Sequence, residues 1–70
     1  MKTMEQQIRN IIEEVFSDLT ECFHQAGETM CAENLVDTVG DRMLDVSAKY
    51  RAMEYNSRRD MVLRICSEYV

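Results

Sequence analysis

Cys22, His24, Cys31 and Cys66 carry the side chains of this chain best suited to bind a metal or attack an electrophile. Four such ligands suffice for a tetrahedral zinc site. Their spacing works against one. On a helix, Cys22 and His24 are two positions apart and point to different sides, and the paired Cys-x-x-Cys knuckle of small zinc domains is missing. Cys22 and Cys66 also fall on apolar faces, where a free cysteine behaves as a small hydrophobe. A nucleophile needs a base within reach and an oxyanion site. His24 is the only histidine, and the order Cys-x-His turns it away from its neighbour. With two glycines in the whole chain there is no phosphate-cradling loop. These residues predict no enzyme, no cofactor and no metal.

Two charged groups remain. Glu33, Asp37, Asp41 and Asp45 step by four and form one acidic ridge along a helix, with Lys49 closing the row. Such a ridge is either a solvated face or a docking strip that steers a basic partner. Arg58, Arg59 and Arg64, with Arg51 shortly before them, open a basic segment of the size that helix-turn-helix proteins place in the major groove. Glu54, Asp60 and Glu68 interrupt that segment. A net charge of −5 disfavours nucleic acid as the main partner, because phosphate binding needs a clustered basic face. The charge is uneven: residues 1–41 hold two basic and nine acidic groups, a net −7, and residues 42–70 hold six and four, a net +2. That asymmetry suits two halves lying against each other, within one molecule or between two.

The elements that must position these groups are helical. Seventy residues make one domain, 46% apolar and 30% charged, with no proline to punctuate turns. The fold class is all-α. From Ala32 to Met53 the apolar residues Ala32, Val36, Val39, Met43, Val46, Tyr50 and Met53 alternate steps of four and three, the seam of a helix pressed on another. Ile8, Ile12, Val15, Leu19, Cys22 and Ala26 do the same in the first part of the chain. Thr3 and Gln6 form a capping-box pattern before that helix, and Gly27 follows it where a left-handed residue commonly ends one. The spacing predicts helices over 4–26, 30–53 and 58–68. Thr29 caps the second, and Ser57 or Asn56 caps the third. Gly40 lies within the second helix, which continues through it, straight or bent. The architecture expected is a long antiparallel helical hairpin with a short third helix folded against it, a small three-helix bundle.

A core this small stabilises a chain only marginally, so burial against a partner would add what it lacks. Ile11, Phe16 and Phe23 widen the first stripe beyond a simple seam, and Met61, Ile65 and Tyr69 add an apolar face on the third helix. These six residues are the expected partner-binding face, and five methionines beyond the first suit such a surface. Glu33, Asn34, Leu35 and Val36, with Asn56, Ser57 and Arg58, resemble segments of the activator-binding KIX family. The distance between the segments differs and the second helix is longer, so no function or site is carried over. The function expected is a non-enzymatic protein-interaction module, an assembly or adaptor subunit that pairs with itself or with a helical segment of another protein. The alternative is a small DNA-binding or transcription-regulatory domain using the third helix. Three cysteines make an odd count unlike a secreted disulfide scaffold, the start lacks a signal-peptide core, and no apolar run is long enough for a membrane span. The expected compartment is the cytosol or nucleus.

Overall fold

A computed structural model describes residues 3–70 and contains four helices: α1 (Met4–Gln25), α2 (Ala32–Val46), α3 (Ala48–Arg51) and α4 (Tyr55–Cys66). The Thr3 hydroxyl accepts the Gln6 backbone N–H at 3.1 Å and starts α1. Only half of the capping box forms, because the Gln6 side chain donates instead to Asn10 Oδ1 at 2.9 Å. The helix ends at Ala26 in a Schellman turn. Gly27, at φ 76°, donates to the His24 carbonyl, and Glu28 donates to that of Phe23.

The connection 26–31 is short, which makes α1 and α2 antiparallel neighbours. It is longer than expected, because α2 starts at Ala32 rather than Met30. Its N-cap is Cys31, not Thr29, and the Cys31 N–H donates to Asn34 Oδ1 at 3.0 Å. From α1 the core takes Ile8, Ile11, Ile12 and Val15; from α2 it takes Leu35, Val36, Val39 and Met43. Leu35 lies outside the four-three seam yet is fully buried. It is buried because α2 packs against α1 on one side and α4 on the other, so its covered stripe is wider than a two-helix seam. Cys22, expected on the seam, is exposed. At 22 residues against 15, α1 outruns α2 by about 10 Å at 1.5 Å per residue, and its last turns have little to pack on.

The second helix does not run on to Met53. Ser47 is extended (φ −133°, ψ 109°), and its hydroxyl accepts the Tyr50 N–H at 3.1 Å to start α3. Serine competes well for this role, since its side chain offers the backbone an alternative to the helical ladder. The guanidinium of Arg51 donates to the Leu44 carbonyl, one of those the break leaves without a helical partner. Val46, expected in the seam, is consequently 59% exposed. Tyr50 instead folds back beneath α2 and is buried, its hydroxyl 3.5 Å from where a Cβ on Gly40 would stand. In one straight helix those two residues would be about 15 Å apart along the axis.

The last helix starts at Tyr55, three residues before the expected Arg58, with Glu54 as N-cap instead of Ser57 or Asn56. Its first backbone bond runs from the Arg58 N–H to the Glu54 carbonyl. It ends at Cys66, short of Glu68, in a closing turn where the Ser67 hydroxyl donates to the Leu63 carbonyl. Val62, Ile65 and Cys66 complete the core. The fold is all-α, with the expected hairpin broken once and its core closed by α4.

Candidate interaction surface

The acidic ridge survives the change in helix bounds, because all four of its members lie within α2. Glu33, Asp37, Asp41 and Asp45 are all exposed. Arg59 reaches across from α4 to Asp37 at 3.6 Å. The carboxyl of Glu33 is held below the usual range by its own backbone N–H at the helix start, then by the Cys31 thiol, with a smaller pull from Arg59. Asp41 and Asp45 enter no ion pair among the described residues. Neither does Lys49, expected to close the row, because the break at Ser47 carries it off the α2 face.

Beside Asp37 and Asp41 runs a groove of about 120 Å³ between α2 and α4. Val36, Gly40 and Leu44 form its α2 wall, Tyr50 lies beneath, and Tyr55, Arg58 and Arg59 form the far side. Arg58 donates to the Met53 carbonyl at 3.0 Å, and its guanidinium carbon lies 5.8 Å from the Tyr50 ring centre and 5.3 Å from that of Tyr55. Both distances are within cation–π range. Burial raises the Tyr50 phenol above its ordinary value, opposed in part by Arg58. The groove is below the roughly 300 Å³ of ligand pockets and below the roughly 150 Å³ cavity that holds benzene. It has room for the end of one side chain.

No family model, curated protein or solved structure matches the chain.

The other expected site residues separate into two groups. Ile11 and Ile65 are buried in the chain's own core, covered by helices of the same molecule. Phe16, Met61 and Tyr69 are half-buried and pack against that core, the Phe16 and Tyr69 rings 6.1 Å apart and tilted by 48°. Phe23 is half-buried on the projecting end of α1. Arg9 ties the chain end to α1 by binding Glu68 at 2.9 Å and Glu5 at 3.1 Å. Hydrogen bonds with Glu68, Tyr69 and Glu5 make that guanidinium still harder to deprotonate.

The three arginines of the basic segment all have internal partners: Arg59 with Asp37, Arg64 with Asp60 at 2.8 Å, and Arg58 with the Met53 carbonyl and two tyrosines. Cys22 and Cys31 are exposed, whereas Cys66 is fully buried and its thiol is pushed up to about 11 by desolvation. Among the described residues no three His, Cys, Asp or Glu side chains converge on a metal position. No helix there is long and apolar enough to cross a membrane. Sequence reading singled out Gly40 and Tyr50 without bringing them together. The signal that places them is Ser47, a strong N-cap residue within an otherwise continuous apolar pattern.

Proposed function

We propose that this chain is a non-enzymatic helical interaction module that takes a basic helical segment of another protein along the exposed face of α2. The observation that carries the reading is the pair of unneutralised carboxylates, Asp41 and Asp45, on an exposed ridge beside a groove. A positive helix meeting such a face gains rate and orientation from electrostatic complementarity. Closure of the core by α4 leaves this face free to bind without opening the fold. The module would serve as an assembly or adaptor subunit, and its free thiols suit a reducing setting such as cytosol or nucleus.

The test is calorimetric titration of the purified chain with an amphipathic alanine–leucine–lysine helical peptide across a salt series. Binding at low salt that weakens as salt rises is expected. Absence of heat at low salt overturns the reading. Gel-shift assays with duplex DNA test the competing use of Arg58, Arg59 and Arg64. A salt-dependent shift lost when the three become alanine would replace the protein-binding reading.

A further inference from the structure

We propose that the projecting end of α1 is a second docking surface, which takes a basic amphipathic helix of another protein by its apolar face. It goes beyond the reading of the α2 face and does not rest on it.

The surface exists because α1 outruns its neighbour. Tyr69 lies against Phe16, and past that contact Thr20 and His24 are exposed and Phe23 is half-buried. Phe23 stands seven positions after Phe16 and so continues the same stripe. A groove of about 250 Å³ opens here, lined by Phe16, Thr20 and His24 of α1 and by Met30 and Val70. The Thr20 hydroxyl donates to the Phe16 carbonyl at 2.7 Å, which uses it up within its own helix. The hollow exceeds the roughly 150 Å³ cavity that holds benzene, so a leucine side chain fits. From Phe16 to His24 the helix rises about 12 Å, close to the roughly 10.5 Å between anchors at i and i+7 of a docked helix.

Charge selects the partner. From Asn10 to Asp41 the chain has eight acidic side chains and neither lysine nor arginine. Glu21 and Glu28 line the hollow, and Glu13, Glu14 and Asp18 are exposed on the same helix. None of these five enters an ion pair among the described residues. A second copy pairing end to end would bring like charges together, and an anionic membrane or nucleic acid would be repelled. A cationic helix with one apolar face suits both the hollow and the charge around it.

The test follows the amide resonances of the isotope-labelled chain during titration with the alanine–leucine–lysine peptide. Shifts should concentrate in residues 16–30 and at Val70. Phe23→Ser should weaken binding at least about tenfold, as loss of an aromatic anchor does. Thr20→Arg, at an exposed position, should do the same and melt as the native chain does. A peptide of equal composition with its leucines spread around the helix should bind at least about tenfold more weakly. Heat capacity should fall on binding the amphipathic peptide, as burial of apolar surface requires. Equal binding of the two peptides overturns the proposal, because charge alone would then account for it. Shifts confined to residues 33–45, with Thr20→Arg binding normally, overturn it and leave the α2 face standing. A dimer in light scattering that Thr20→Arg dissociates overturns it in favour of a second copy. Absence of binding at low salt overturns it outright.

Discussion

Gly27 and Gly40 are the same residue type under opposite constraints. At φ 76° Gly27 occupies the left-handed region, and nothing lies within 4 Å of where its Cβ would be. Its requirement is therefore backbone conformation alone. Gly27→Ala should destabilise the chain by about 1–2 kcal/mol. Gly40 is in the helical interior, where an added Cβ would make ordinary contact with the Tyr50 hydroxyl. Gly40→Ala should stabilise by up to about 1 kcal/mol through helix propensity. Thermal melts of the two variants should shift in opposite directions, and shifts of the same sign would contradict this account. The cysteines divide in a similar way. Cys22 and Cys31 should react with a thiol reagent in the native chain, and Cys66 only after unfolding. An unfolded Cys66 thiol ionises near 9, whereas the buried one holds its proton to about 11. The folded state therefore carries the extra proton in that window, and this contribution to stability is lost as pH rises through it. Melts of the native chain and of Cys66→Ala should converge between pH 9 and 11.

Among the helices, the break at Ser47 has the widest consequences. Ser47→Ala removes the cap of α3 and should cost about 1 kcal/mol, read from denaturant unfolding. The variant should also disturb Tyr50, whose position depends on that turn. The four-three pattern runs through Ser47 without interruption because Tyr50 and Met53 keep the spacing, although they are buried or half-buried in another orientation. Cap chemistry was the better guide there than periodicity. The two readings of α2 can be separated by mutation. Leu35→Ala, at a fully buried position outside the seam, should cost about 2–5 kcal/mol. Val46→Ala, at a seam position that is 59% exposed, should cost within about 0.5 kcal/mol. A larger loss at Val46 than at Leu35 would restore the continuous helix. Asp in place of Val39 or Met43, both fully buried, should abolish folding under either reading.

Taken whole, the chain has a radius of gyration of 12.0 Å, near the roughly 11 Å of a compact domain of this length. With Ile11 and Ile65 already covered by its own helices, the chain should be a folded monomer of 8.2 kDa across a light-scattering concentration series. A stable dimer would instead direct attention to Phe16 and Phe23. The uneven charge works only partly as expected: Asp37–Arg59 joins the acidic half to the basic one, while Arg9–Glu68 runs in the opposite sense. Lys2, counted in the acidic half, lies outside the described residues. The sequence by itself determined the all-α class, the start and end of α1, the exposed ridge of α2 and most of the apolar face of α4. Those features follow from caps and periodicity, which act over a turn or two of chain. Only the tertiary structure decided which apolar residues are covered, because a stripe shows that a face is apolar without saying what lies on it. It also decided that Gly40, Asp41, Tyr50 and Arg58 line one groove. That meeting depends on a reversal at Ser47 and on α4 packing across α2, neither of which is encoded within a single helix.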